Sequence, residues 1–211
     1  MQKIRLVFPL ILLLTLVFLL YAPGLTGDYV FDDTTNITKN EKIAIESLEI
    51  KTLNAAFWSG SAGPLGRPLS MLSFALNHYF TGFDPYFFKL TNLVVHLVNV
   101  VLVFWLVHAL LRALPARETC GGNAHPIRFP FYGALLAAAL WGLHPLNLTS
   151  VLYVVQRMTS LATLFGLFAL ALYAAWRSSP RHFSPFQNGL TGLAILLCLI
   201  ASVFSKESGL L

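Results

Sequence analysis

Charged side chains are scarce in this 211-residue chain, since Asp, Glu, Lys and Arg make up only 11% of it. Soluble domains carry roughly 25% charged residues. The hydrophobic share is 56% and the mean hydropathy is +0.70. This composition excludes an ordinary soluble domain and predicts an integral membrane protein. The net charge of +5 comes from scattered residues, and the lack of a basic run excludes a nucleic-acid partner.

Cysteine is also scarce, with Cys120 in a polar loop and Cys198 in an apolar segment. Two thiols so far apart favour neither a disulfide framework nor a metal site. The sequence has no Gly-rich phosphate loop, no metal-type Cys/His cluster and no Gly-x-Ser-x-Gly elbow. Cytosolic nucleotide chemistry therefore has no support.

Long apolar runs are what the chain does contain, and they predict an all-α, polytopic transmembrane bundle of about five spans. A helix of ~20 apolar residues is long enough to cross a bilayer. The first run is too long for a typical signal peptide and lacks a small-x-small cleavage site, so we interpret it as an uncleaved span. The predicted spans are 4–21, 86–111, 131–148, 150–176 and 188–204.

A long amphipathic loop, residues 22–85, separates the first two spans. Its first part, 22–70, contains six of the nine acidic residues of the chain. Its apolar pattern favours short helices lying on the membrane surface. Thr38 to Glu41 resembles a capping box, residues 68–80 could form a further short helix, and Asp84-Pro85 is typical of a helix start.

The basic residues of the short loops predict the orientation of the bundle. Cytoplasmic loops carry an excess of Lys and Arg, and arginines fall near the N-terminus, in 112–130 and in 177–187. The N-terminus is therefore expected in the cytoplasm. The acidic loop, His144-Pro145 and Lys206-Glu207 are then expected together on the non-cytoplasmic face.

Asp32 and Asp33 are the first candidates for chemistry. Adjacent carboxylates repel each other, which raises one pKa unless a cation is close. A carboxylate at a membrane surface could act as general base for an incoming hydroxyl, could bind a divalent cation, or could belong to a solvated turn. No cofactor is certain from the sequence, and a divalent cation is left open.

Arg157 is the second candidate, about two turns inside the predicted span 150–176. A charge at that depth usually marks a pathway or a paired site. Its planar guanidinium suits a lipid phosphate, and an ion pair with Asp32 or Asp33 is the alternative. On the span 86–111, Asn92, His96 and Asn99 share a face, which predicts interhelical hydrogen bonds or else a proton relay.

The chain resembles the transmembrane-and-tetratricopeptide-repeat O-mannosyltransferases and their bacterial relatives, within the GT-C class of glycosyltransferases. The resemblance covers nearly the whole chain and depends on the order and spacing of several short stretches, none specific alone. These stretches are Phe31-Asp32-Asp33, Phe57-Trp58, Arg67-Pro68-Leu69, Asp84-Pro85 with Asn92 and His96, Leu143-His144-Pro145, Gln156-Arg157 and Ser205-Lys206-Glu207.

The resemblance implies transfer of a sugar from a polyprenyl-phosphate donor to a hydroxyl of a protein or glycan acceptor, with inversion. It implies that Asp32 or Asp33 is the catalytic base and that Arg157 and Lys206 hold the donor phosphate. Arg67, His144 and Glu207 are the remaining substrate-binding candidates. It further implies a bacterial inner-membrane protein with a periplasmic active face, of which this chain is the N-terminal part. More spans and tetratricopeptide repeats would follow.

Two departures from the family pattern leave the sugar and the acceptor open. After His144-Pro145 the family usually continues with His-Thr-Glu, where this chain has Asn147-Leu148-Thr149. The usual Gly-Arg-Ala-Asp is replaced by Gln156-Arg157-Met158-Thr159, which lacks the acidic residue. The alternative to an enzyme is a polyprenyl-lipid-binding scaffold or a transporter module, although a transporter is expected to contain repeats that the sequence lacks.

Overall fold

The computed structural model describes residues 2–114, 128–179 and 184–210. This described part is helical and contains no β-strand, which confirms the predicted all-α class. Short 3-10 and π turns join its α-helices. The helices are α1 (Gln2–Tyr21), α2 (Ile50–Phe57), α3 (Pro68–Thr81), α4 (Pro85–Ala113), α5 (Arg128–Gly142), α6 (Asn147–Leu152), α7 (Arg157–Arg177) and α8 (Pro185–Ser205).

Four helical segments of the described part are long and apolar enough to cross a membrane, as expected of a polytopic bundle. They are Val7–Thr26, Pro85–Ala113, Val154–Arg177 and Pro185–Ser205. The fifth predicted span corresponds to a shorter apolar helix, Pro130–Gly142.

The region between residues 142 and 157 differs most from the expected spans. α5 ends at Gly142, because the chain turns at His144 and Pro145 has no N–H with which to continue a helix. The span expected over 150–176 is interrupted at Tyr153, whose backbone is extended (φ −93°, ψ 109°). Arg157 is consequently the first residue of α7 rather than lying two turns inside a helix.

Local capping explains where two elements begin. The Asp84 carboxylate accepts a hydrogen bond of 2.9 Å from the Tyr86 N–H, and Pro85 occupies the first position of α4, as the sequence predicts. The capping box expected over Thr38–Glu41 is wrong, because Asn40 is the cap. Its side chain accepts the Lys42 N–H at the start of the 3-10 turn Glu41–Ile43.

The loop between α1 and α4 packs on one end of the bundle. Its side chains Ile37, Ile43 and Ile45 are buried in a core cluster with Phe74 of α3 and Phe88 of α4. The expected short helices therefore turn part of their apolar surface toward the protein itself. Other apolar side chains of the same loop face outward and remain available to a membrane surface. They include Ile50, which is 85% exposed, and Trp58, which is 60% exposed.

A second core cluster lies among the spanning helices. It joins Val17 and Tyr21 of α1, Leu93 and Val100 of α4, and Ala138 of α5. Both clusters include residues of α4, so this helix connects the spanning part of the bundle to the loop between α1 and α4. That arrangement leaves the sites described next at one end of the bundle.

Candidate functional site

A seven-residue segment, Tyr153–Thr159, is the point where the predicted site residues meet; we call it the central turn. It receives the acidic loop on one side and the residues after α8 on the other. Asp33 bonds to its N-terminal half, whereas Arg67 and Lys206 bond to its C-terminal half. Five of the seven predicted site residues, namely Asp32, Asp33, Arg67, Arg157 and Lys206, therefore lie in or bond to this segment. Glu207 reaches it through Arg67, and His144 lies apart.

Asp33 is fully buried and fastens the acidic loop to the central turn. Its carboxylate accepts backbone N–H bonds from Val155 at 2.7 Å, from Val30 at 3.1 Å and from Val154 at 3.4 Å. Burial raises the pKa of Asp33, and these three hydrogen bonds oppose that rise. Because its oxygens are enclosed by backbone donors, Asp33 holds the loop in position rather than facing a substrate.

Asp32, by contrast, is exposed, and its backbone is fixed. Its N–H donates to the hydroxyl oxygen of Tyr153 at 3.1 Å. The preceding residue, Phe31, has a left-handed backbone (φ 46°), which is costly for a bulky side chain, and its ring is 87% exposed. This strained turn places the two carboxylates in different environments, because Asp32 is exposed beside the Tyr153 hydroxyl and Asp33 is buried.

Two tyrosines surround the acidic pair, and the sequence analysis had not singled them out. Burial raises the pKa of Tyr153, and the neighbouring carboxylates of Asp32 and Asp33 add to that rise. Burial and Asp33 likewise raise the pKa of Tyr29, whose hydroxyl has no hydrogen-bond partner among the described residues. Both phenols therefore stay protonated near neutral pH.

Arg157, in the middle of the central turn, has a completely buried side chain. Its guanidinium donates to the Asn92 side-chain oxygen (2.7 Å), the Asn77 side-chain oxygen (2.8 Å) and the carbonyl oxygens of Phe88 (2.8 Å) and Ser73 (3.2 Å). It also lies over the rings of Phe74 and Phe88, 4.7 and 5.3 Å from their centres.

This environment changes the interpretation of Arg157. It forms no ion pair with Asp32 or Asp33, since the ion pair found in the described residues joins Arg67 to Glu207. In this conformation the guanidinium also has no exposed surface for a donor phosphate. Arg157 instead ties α7 to α3 and α4, and Asn77 is a partner that the sequence analysis missed.

The shared face of Asn92, His96 and Asn99 is confirmed as a row of interhelical hydrogen bonds. Asn92 donates to the Val154 carbonyl at 3.2 Å, and Asn99 donates to the Ser160 carbonyl at 3.0 Å. His96 Nε2 lies 3.0 Å from the carbonyl oxygen of Gly142. These three side chains fix α4 against α5, the central turn and α7.

A group of charged side chains joins the turn before α3 to the residues after α8. Arg67 Nε donates to Glu207 at 3.1 Å, and Lys206 Nζ donates to the Thr159 hydroxyl at 2.7 Å. Burial and the nearby Arg67 lower the pKa of Lys206. Partial burial would raise the pKa of Glu207, but hydrogen bonds from its own N–H and from Arg67 lower it overall.

His144 is exposed and forms a local turn. Its Nδ1 accepts the Leu146 N–H at 3.3 Å. Among the described residues it contacts none of the other predicted site residues, so its proposed substrate role stays a prediction. As regards a divalent cation, the described residues contain no group of three or more His, Cys, Asp or Glu side chains arranged to hold a metal ion.

Lys89 is the charged residue that the sequence analysis missed. It lies one turn inside α4, is 4% exposed, and donates to the Asp28 carbonyl oxygen at 2.9 Å. An ionisable residue inside an apolar span is itself a signal of function, and that signal was available in the sequence.

The chain is similar to curated proteins over nearly its whole length. It is 31% identical to the Drosophila melanogaster protein O-mannosyl-transferase Tmtc1 over 201 residues, which cover 92% of the chain and 20% of that protein. It is 29% identical to the human protein O-mannosyl-transferase TMTC4 over 197 residues, which cover 90% of the chain and 26% of that protein. No protein-family model and no solved structure matches the chain.

The Caenorhabditis elegans protein O-mannosyl-transferase F38B6.6 is similar as well, at 26% identity over 208 residues, covering 96% of the chain and 26% of that protein. The chain thus spans about a quarter or less of the length of these curated relatives. It is a relative of a part of the transmembrane-and-tetratricopeptide-repeat O-mannosyltransferases, and the resemblance predicted from its motifs is confirmed.

Proposed function

We propose that this chain carries the catalytic-base region of a membrane glycosyltransferase of the GT-C class, with Asp32 as the general base. The single observation that carries the proposal is the contrast within the acidic pair. Asp32 presents an exposed carboxylate beside the Tyr153 hydroxyl, while its neighbour Asp33 is buried and held by three backbone N–H groups. The names of the curated relatives support a glycosyltransferase.

In the proposed reaction a sugar passes from a polyprenyl-phosphate donor to a hydroxyl of a protein acceptor. Asp32 takes the hydroxyl proton as the acceptor oxygen attacks the anomeric carbon. The bond from that carbon to the donor phosphate oxygen breaks, and polyprenyl phosphate leaves with the electron pair. Attack opposite to the leaving phosphate inverts the anomeric centre.

The distribution of charge supports one orientation in the membrane. The described ends of α1, α5 and α8 lie with the acidic loop, whereas Arg112, Arg128 and Arg177 lie at the opposite ends of α4, α5 and α7. The positive-inside rule supports a cytoplasmic location for those arginines. We therefore propose that Asp32 acts on the non-cytoplasmic face, in the periplasm if the protein belongs to a bacterial inner membrane.

Substitution of Asp32 tests the proposal directly. In the full-length protein, Asp32→Asn should lower kcat for sugar transfer to a Ser- or Thr-containing peptide by about 10²–10⁴-fold, the usual contribution of a general base. Glu46→Gln, which removes another exposed carboxylate of the same loop, is the matched control and should leave transfer unchanged. Wild-type turnover by Asp32→Asn would disprove the assignment of the base, whereas a wild-type protein that transfers no sugar would favour a lipid-binding scaffold.

A further inference from the structure

An open cavity of about 520 Å³ lies beside the acidic pair. It is formed between the end of α1, the first turns of α4 and the short helix α6. The residues that line it are Gly24, Gly27, Asp28, Val30, Phe31, Lys89, Leu148, Thr149, Leu152 and Tyr153. Two of these belong to the surroundings of Asp32: Phe31 directly precedes it, and Tyr153 packs against the Phe31 ring and accepts the Asp32 N–H.

The walls of this cavity suit an apolar chain. Val30, Phe31, Leu148 and Leu152 contribute aliphatic and aromatic surface, and Leu148 is 52% exposed. Such exposed apolar surface at the end of spanning helices matches a lipid better than a free sugar, because a sugar needs hydrogen-bond partners across its faces. The cavity therefore has the character of a lipid-accessible cleft.

One charged group is buried at this cleft, the ammonium of Lys89. It has three N–H donors, and the hydrogen bond to the Asp28 carbonyl oxygen uses one of them. The described residues provide it with no ion pair within 4.0 Å. The nearest negative charges are Asp28, which is exposed to solvent, and Asp33, whose oxygens are engaged by backbone N–H groups.

We propose that the cleft binds the phosphate headgroup of a lipid, with the Lys89 ammonium donating to phosphate oxygens and the apolar walls holding the adjoining chain. A buried cation with unused donors is stabilised by an anionic acceptor, and such charge-assisted hydrogen bonds are stronger than neutral ones. The identification of that lipid as the sugar donor rests on the proposed function; the phosphate site itself does not.

This location differs from the one that the family resemblance implies, which is Arg157 with Lys206. Arg157 is enclosed by protein acceptors, and Lys206, which donates to Thr159, does not line this cleft. Arg67 is engaged by Glu207. Among the cations whose side chains the structure describes, Lys89 is the one that combines burial, unused donors and an adjoining apolar cleft next to Asp32.

Binding of polyprenyl phosphate to the full-length protein in maltoside micelles, which contain no phosphate, tests the site. Lys89→Met keeps an unbranched side chain that is one atom shorter and removes its charge. It should weaken polyprenyl phosphate binding at least tenfold and leave binding of the uncharged polyprenol unchanged. Lys51→Met, at an exposed lysine of α2, controls for loss of a positive charge and should bind as the wild type does.

Thr149→Phe fills the cleft without changing the charge and should weaken binding of both polyprenyl phosphate and polyprenol.

Competition distinguishes the sources of the phosphate. If phosphatidylglycerol displaces polyprenyl phosphate only at much higher concentration, the cleft is a site for a lipid-linked donor; equal displacement assigns it to bulk lipid headgroups. Unchanged affinity in folded Lys89→Met, or a tenfold loss in Lys206→Met instead, would overturn the proposal. Asp32→Asn should bind polyprenyl phosphate normally while its transfer rate falls by about 10²–10⁴-fold. Failure of the base assignment and failure of the Lys89 site therefore give different results.

Discussion

At the scale of single residues, the acidic pair shows how two identical side chains acquire different roles. Asp32 and Asp33 are neighbours in sequence, but Asp33 meets the N–H groups of Val154 and Val155, which are 121 and 122 residues away. Nothing local in the sequence distinguishes the two. The sequence could therefore identify the pair as important and could not decide which carboxylate is exposed.

Asp33→Asn should lower the unfolding temperature, because an amide has one acceptor oxygen and the carboxylate has two. The substitution therefore leaves one backbone N–H of the central turn facing an NH₂ group, which cannot accept its hydrogen bond. The expected loss is about 1–3 kcal/mol in the free energy of unfolding. Thermal unfolding in detergent, followed by circular dichroism, measures it. Asp32→Asn is the matched control, and equal unfolding temperatures for the two variants would contradict the assigned roles.

The same residue predicts a pH dependence of stability. Because burial raises the pKa of Asp33 in the folded state, the folded protein binds this proton more tightly than the unfolded chain does. Its contribution to the unfolding free energy is therefore greatest below about pH 4, the unfolded value, and declines as pH rises through the raised pKa. Asp33→Asn should remove this decline, and an unchanged pH profile would contradict the raised pKa.

At the scale of elements, the central turn owes its shape to Arg157. A bundle of apolar helices has few directional contacts, and this guanidinium supplies four, reaching α3 and α4 from the start of α7. The break at Tyr153 puts Arg157 at the helix start, where its side chain can reach both helices. The described contacts thus make α7 begin at a fixed position relative to the acidic loop.

Arg157→Met should therefore destabilise the protein by about 1–3 kcal/mol for each of Asn92 and Asn77, because their side-chain oxygens lose their donor. Arg177→Met, at the exposed last residue of the same helix, is the matched control and should unfold at nearly the wild-type temperature. Thermal unfolding of both variants in detergent provides the comparison. If Arg157→Met unfolds like Arg177→Met, the guanidinium serves a ligand rather than the fold.

Element boundaries show where reasoning from the sequence succeeds and where it fails. The start of α4 was predictable because Asp84 and Pro85 act within one turn of chain. The break at Tyr153 was not, since apolar composition continues through it and the extended backbone depends on hydrogen bonds to a distant loop. Lys89 was overlooked although its charge stands out in an apolar run, because only its packing against Asp28 reveals the cleft.

At the scale of the whole molecule, the described contacts gather the functional residues at one end of the bundle. The acidic loop, the central turn and the residues after α8 are joined by Asp33, Arg67 and Lys206. The opposite end of α7 carries Arg177. A membrane protein organised this way separates its candidate chemistry from its positive loops.

Single cysteines introduced into a variant without Cys120 and Cys198 test this separation. Glu46→Cys and Ser208→Cys, both exposed at the acidic end, should react with a membrane-impermeant maleimide added to intact cells. Ser178→Cys, exposed just after α7, should react only after permeabilisation. Labelling of Glu46→Cys and Ser208→Cys from opposite sides would contradict the fold, and labelling of both from inside would reverse the proposed orientation.

The acceptors of Arg157 have a consequence for how the sequence can drift among related proteins. At Ser73 the guanidinium meets a backbone carbonyl, which every amino acid supplies, whereas at Asn92 and Asn77 it meets side-chain oxygens. Among related proteins, position 73 should therefore tolerate many different residues that fit the space in the helix. Asn92 and Asn77 should covary with Arg157.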